Sequence, residues 1–192
     1  MKNYILRLLL LVTSLTVIAS ANAQSLKNLE DNNGFKKYKL GSKFVLGLGM
    51  KYKDEDGADR IVIDYAKETI GDIPVKATEL YYLKDTLSKI IVRVSPEYYE
   101  KLINAMRDSF GPATQDVSSN EKINLDSSVN VNYYKDEYIW KTNRFRLHYY
   151  YSYPKTGSGA YGARSLYLAY VFNDYGQRLQ RAKRGANQAR NF

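Results

Sequence analysis

No cysteine occurs anywhere in the 192 residues, and there is a single histidine. Without thiols no disulfide braces the fold, so apolar burial and a hydrogen-bonded sheet must hold it alone. The same lack leaves no thiol at the expected N-terminal cleavage point to carry a lipid. A zinc centre draws on three or four His, Cys or carboxylate ligands, and His148 is the only imidazole on offer; no metal and no cofactor is expected. A Ser-His-Asp triad would have to use His148, no G-x-S-x-G elbow accompanies it, and Arg144 and Arg146 on the same strand face would oppose the imidazolium such chemistry needs. Long apolar runs are scarce too. Only the N-terminal segment has one, and it is short of the about 20 residues that span a membrane, so no transmembrane segment is expected in the mature chain.

That N-terminal segment reads as an address. Lys2 and Arg7 form a positive n-region, Leu8 to Val12 and Leu15 to Ile18 an apolar h-region, and Ala21 and Ala23 stand in the A-x-A spacing of a signal-peptidase site. Residues 1–23 are therefore expected to be a signal peptide, with the mature chain starting at Gln24. The expected setting is exported, periplasmic or extracellular, in a Gram-negative bacterium. The remaining 169 residues suit one domain. Removing Lys2 and Arg7 lowers the formal charge from +9 to +7. Residues 177–192 hold Arg178, Arg181, Lys183, Arg184 and Arg190 with no acid, leaving only +2 for residues 24–176. The basicity belongs to a C-terminal tail rather than to a broad nucleic-acid-binding face, and no nucleic-acid partner is expected. Outside the cytoplasm such a tail meets anionic envelope surface; a solubilising, frayed terminus is the plainer alternative.

From Phe35 onward the pattern is mostly strand. Phe35–Leu40 makes a short first strand. Phe44–Lys53 and Arg60–Ala66 form a hairpin around Asp54-Glu55-Asp56-Gly57, and Ala77–Leu83 and Leu87–Val94 another around Lys84-Asp85-Thr86. Within the last arm Ile90, Val92 and Val94 share a face while Lys89 and Arg93 point the other way. One helix follows. Ser95 suits the N-cap and Pro96 the first helical position. Tyr99, Leu102, Ile103, Met106 and Phe110 form a single apolar stripe, and Gly111-Pro112 ends it. Thr114–Ser128 is polar and reads as a loop. Val129–Trp140, Asn143–Tyr153 and Arg164–Asn173 then read as three antiparallel strands, and Asp174-Tyr175 begins a terminal helix carrying the basic tail. Two sheet-forming blocks flanking one helix also fit a weak internal duplication.

Several motifs reduce to simpler readings. Gly157-Ser158-Gly159-Ala160-Tyr161-Gly162 matches G-x-G-x-x-G, but the following residues alternate as a strand rather than opening a helix, so the glycines suit a hairpin loop. Asp54-Glu55-Asp56-Gly57-Ala58-Asp59 lacks the calcium-loop spacing and its closing Glu. Asp64, Glu79, Asp136 and Glu137 are formally eligible as a glycosidase carboxylate pair. The richest resource is tyrosine, with nineteen in all and eleven from Tyr133 onward. Phe145, Leu147, Tyr149, Tyr151 and Tyr153 alternate with Arg144, Arg146, His148 and Tyr150. The second set, with Tyr167 on a neighbouring strand, composes a Tyr/Arg/His face suited to a sugar, peptide or protein partner.

From Thr86 to Trp140 the chain runs hairpin strand, Pro-capped helix, Phe110-Gly111-Pro112, polar loop, then a strand with Tyr138-Ile139-Trp140. This layout resembles that of small bacterial envelope modules, the β-lactamase-inhibitor-like domains and outer-membrane assembly lipoproteins. The texture is also similar to that of secreted proteins of the Bacteroidetes type. Class and compartment are all that the resemblance implies. The expected fold is α+β, an antiparallel twisted sheet of about six to eight strands with the Pro96–Phe110 helix packed on one face. The expected core is Phe145, Leu147, Leu166, Leu168, Ile90, Val92, Val94, Leu102, Ile103 and Met106. The expected role is non-enzymatic binding of an envelope protein or glycan through Tyr150, Arg144, Arg146, His148 and Tyr167. The alternatives are a small wall- or surface-glycan hydrolase and tail-mediated binding to anionic envelope surface.

Overall fold

The computed structural model describes residues 26–45, 47–49, 51–54, 57–64, 67–126, 129–154 and 164–189, with the backbone alone for 64, 121–126, 129–132 and 185–189. The signal-peptide segment 1–23, the Gly157–Gly162 motif, Glu55, Asp56 and Arg190 lie outside it, as does the Asp64 side chain.

The architecture is mostly antiparallel sheet with short helices. A helix over 26–31 (α1) precedes a two-stranded ribbon, β1 (Gly34–Phe35) and β2 (Tyr38–Lys39). Next come β3 (Lys51–Lys53), β4 (Asp59–Asp64), β5 (Thr69–Ile70), β6 (Ile73–Leu83) and β7 (Thr86–Val94). A 3-10 turn over Pro96–Tyr98 leads into α2 (Tyr99–Phe110). After it stand β8 (Gln115–Asp116), β9 (Ser119–Asp126), β10 (Val129–Lys141), β11 (Phe145–Pro154), β12 (Ser165–Phe172) and α3 (Tyr175–Ala189). Among the described residues the main sheet has ten strands in the order β3-β4-β6-β7-β12-β11-β10-β8, with β5 pairing β6 and β9 pairing β10.

Ten strands exceed the six to eight expected, and the extra ones come from segments without strand patterning. Gln115–Asp116 and Ser119–Asp126, expected as loop, pair along β10 as a divided edge strand. An edge strand needs only backbone N–H and C=O groups facing its neighbour, so polar side chains suit it. Phe35–Leu40 is a ribbon turning at Lys36, which takes φ +52°, rather than one strand. Among the described residues of Phe44–Lys53, only Lys51–Lys53 forms a paired strand, in register with Asp59 to Ile61.

The core lies between α2 and one face of the sheet. Leu102, Ile103 and Met106 of α2 pack with Leu80, Ile90, Val92, Val94, Phe145, Leu147, Leu166 and Leu168, so every expected core residue is buried. Two hydrogen bonds fix the helix at its ends. Tyr149 Oη–H donates to the Tyr99 carbonyl at 3.0 Å, and the indole N–H of the fully buried Trp140 donates to the Gly111 carbonyl at 2.9 Å. Gly111 has φ +72°, and its N–H closes the helix on Arg107. At the other end Ser95 makes no side-chain cap; the chain enters through the 3-10 turn, and Tyr98 occupies the position before α2.

The C-terminal helix α3 packs on the opposite face. Leu179, Ala182 and Tyr175 meet Ala58, Tyr81, Leu83 and Ile91, and Tyr81 and Ile91 are the strand neighbours of Leu80 and Ile90, which face α2. Residues 177–184, the basic stretch expected on a terminal helix from Asp174-Tyr175, lie on this docked helix. Both sheet blocks end at the centre, on β7 and β12, and each runs into a helix. The dyad of an antiparallel pair is perpendicular to the sheet and would put both helices on one face. They lie on opposite faces, so the two halves are not related by that symmetry.

Candidate functional site

The open half of the α3-side face carries the expected residues. On β11, Phe145, Leu147, Tyr149 and Tyr151 are buried toward α2, which turns Arg146, His148 and Tyr150 outward on the period of two. Register then sets the rows. Tyr150 stands opposite Glu137 of β10 and Tyr167 of β12, and Tyr167 stands opposite Arg93 of β7. The Tyr150 and Tyr167 rings stack with centroids 4.6 Å apart and planes 19° from parallel. The guanidinium of Arg93 lies 5.9 Å from the Tyr167 ring, and Lys135 Nζ lies 6.0 Å from that of Tyr150. Burial first, then the Tyr150 hydroxyl and the Glu137 carboxylate, push the Tyr167 hydroxyl up to about 12. Both rings are partly exposed.

The row continues into a charged cluster. Glu79 of β6 is 2% exposed and pairs with Arg93 through its Nε and with Arg60 at 3.1 Å, while Tyr81 Oη–H donates to it at 2.7 Å. Burial alone would raise the Glu79 carboxyl. Arg93, Tyr81 and Arg60 together outweigh it and hold the group below the usual carboxylate range. Glu79 is thus a structural anion and a poor proton donor at neutral pH.

His148 sits one row over, opposite Ile139 and Ala169. Its Nδ1 is 2.7 Å from Glu137 Oε1. Burial lowers its pKa more than the Glu137 bond raises it, and Arg146 lowers it further. The neutral ring therefore donates Nδ1–H to Glu137 and leaves a buried Nε2 without a protein partner. Arg146 lies beyond, opposite Lys141 and Val171, with its Nε buried and unpartnered.

Tyr150, Tyr167, His148 and Arg146 therefore come together on one face. Arg144 does not join them. It occupies the turn before β11 and is exposed at the end of the sheet. Arg178, Arg181, Lys183 and Arg184 lie on α3. Among the formally eligible carboxylates, Asp136 and Glu137 are chain neighbours on β10 and point to opposite faces. Glu79 is taken by two arginines. These three do not face one another across a cleft as a glycosidase pair must. Asp59, the last residue of the acidic turn, is turned toward Lys51 and Lys53. No described helix is long and apolar enough to cross a membrane.

The sequence reading missed the Glu79, Arg60, Arg93 and Tyr81 cluster. Arg93 points outward by alternation, but what it meets depends on the register of β6 against β7, where bulges at Val75/Ala77 and Tyr81/Tyr82 shift the pairing, and of β4 against β6. Much of the tyrosine also faces α2 rather than the open face. Tyr99 stacks on Tyr151 at 4.9 Å, Tyr151 on Tyr153 at 5.0 Å, and Tyr153 on Tyr134 at 5.2 Å. No family model matches this chain, and no curated protein or solved structure matches it either.

Proposed function

We propose that this chain is an exported, non-enzymatic envelope protein of a Gram-negative bacterium. In this reading the chain beyond residue 23 forms one α+β domain, with α2 as its principal packing helix and α3 docked on the opposite face of the sheet. It binds a protein or glycan partner through the half of the sheet face that α3 leaves open. The signal-peptide pattern of residues 1–23 supports the compartment. The observation that carries the binding surface is the stacked Tyr150–Tyr167 pair, partly exposed in mid-sheet and flanked by Arg93, Lys135 and the His148–Glu137 pair. Paired tyrosine rings offer apolar area with polar edges at small entropic loss, and the flanking cations add charge that suits carboxylates or polar hydroxyls.

A photo-crosslinking residue placed at Tyr150 or Tyr167, and at the exposed Val117 as control, tests this in the native envelope. Positions 150 and 167 should yield a common adduct that position 117 does not. Purified adduct partner should then bind Tyr150→Ala/Arg146→Ala at least about tenfold more weakly, as loss of a hot-spot pair implies. Equal adducts at all three positions, or unchanged affinity in a folded double variant, would refute the proposed face.

A further inference from the structure

One end of the sheet gathers cations that are far apart in sequence. The turns Lys84-Asp85, Thr142–Arg144 and Asn173-Asp174 all lie there, because antiparallel pairing brings the start of β7, the end of β12 and the start of β11 to the same side. Gly41 and Phe44 tie the Gly41–Phe44 segment to it through hydrogen bonds with Leu87 and Asp85. At this end the β6–β7 turn and α3 flank an open cavity of about 270 Å³ lined by Leu83, Lys84, Thr86, Ser88, Arg178 and Arg181.

We infer that this cavity is a binding site for a phosphate group. Three of its six lining residues are cations, two are hydroxyls and none is acidic. Arg178 and Arg181 stand three residues apart on α3, side by side on one helix face, and Lys84 is brought against them by a tight turn in which it takes φ +49° and Asp85 +59°. Asp174 engages Arg178 through Nε at 2.7 Å, which leaves both terminal nitrogens of that guanidinium for a second acceptor. Thr86 Oγ1 accepts from Lys43 Nζ at 3.5 Å and keeps its own proton to donate. Three cations around a small recess suit a compact dianion, and arginine forks with the Thr86 hydroxyl suit tetrahedral oxygens. The volume falls below the about 300–1,000 Å³ of sites that enclose drug-sized ligands, so a phosphate headgroup fits better than a whole metabolite. The exposed positions Gln177, Gln180, Lys183 and Arg184 of α3 are all polar, so a lipid-borne phosphate would be held at its headgroup, without insertion of the helix.

The inference stands apart from the tyrosine face, and the test separates them. Full-length mature protein is titrated with inorganic phosphate at constant ionic strength near 150 mM, where charges farther apart than about 8 Å are screened. It is titrated separately with phosphatidylcholine vesicles with and without phosphatidic acid. Lys84→Ala/Arg181→Ala, both at exposed positions, should lose affinity at least tenfold. Lys67→Ala/Arg184→Ala removes equal charge outside the cavity and should stay within about twofold, since screened distant charge contributes little. Tyr150→Ala should bind normally. Saturable binding of free phosphate with this variant pattern assigns a soluble phosphate ligand. The same pattern confined to phosphatidic-acid vesicles assigns a lipid headgroup. No binding in either arm, or equal losses in the two double variants, overturns the site.

Discussion

Replacing Glu79 by Gln removes one negative charge from the interior and changes almost nothing in volume, so its effect on stability reports the cluster directly. In the native protein Glu79 accepts from Arg93 and the Tyr81 hydroxyl and pairs with Arg60 at 3.1 Å while 2% exposed. Each hydrogen bond to a charged group contributes about 1.5–3 kcal/mol, and breaking a fully buried ion pair costs about 3–5 kcal/mol. The arginine side chains are 34% and 44% exposed, so water recovers much of what they lose, and Gln keeps an acceptor oxygen for one of the two hydrogen-bond donors. The expected loss is about 2–3 kcal/mol at pH 7, or about 4–12 °C in Tm for a chain of this size. The pH dependence follows from the lowered folded-state carboxyl. Its stabilisation is complete above the ordinary Glu value of about 4.3 and disappears as pH falls through the folded value. Urea unfolding of the two proteins at pH 7 and at successively lower pH should therefore give curves that converge in acid. A difference under about 0.5 kcal/mol at pH 7, in the range of an ordinary surface change, would refute this account of the cluster. So would a difference that persists unchanged after both proteins are acidified.

Leu102→Ala should cost about 2–5 kcal/mol, because Leu102 is fully buried between α2 and the sheet and a cavity would remain; chemical denaturation reads it, and a loss below about 1 kcal/mol would mean that α2 is not held by this contact. His148 should titrate below the usual histidine value by NMR, since burial disfavours its charged form, and Glu137→Gln should lower it further by removing the one group that raises it. Because its folded value is depressed, the neutral imidazole costs stability as pH falls from the unfolded value toward the folded one. A folded-state value at or above about 6.5 would contradict the burial seen here.

Local periodicity made the faces of individual elements legible. Alternation on β11 and β12 separated Phe145, Leu147, Leu166 and Leu168 from Arg146, His148, Tyr150 and Tyr167, and the 3.6-residue stripe identified Leu102, Ile103 and Met106. Each of these patterns is written within about a dozen residues, where side-chain direction follows from backbone period alone. The divided edge strand β8–β9 was not legible, because its hydrogen bonds come from backbone groups that polar residues carry as well as apolar ones. Ser95 was misread for a different reason. Its residue type suits a cap, but the chain enters α2 through a 3-10 turn that leaves the hydroxyl unused.

The sequence by itself determined which side chains β7, β11, β12 and α2 bury, and the concentration of basic residues after Tyr175. Tertiary structure decided that β7 lies beside β12, that Glu79 meets Arg60 and Arg93, and that α3 folds back with Arg178 and Arg181 next to Lys84. The division has a physical basis. Burial direction is set by the chain's own repeat, whereas strand order, register and helix docking come from contacts between residues tens of positions apart, which no local pattern encodes.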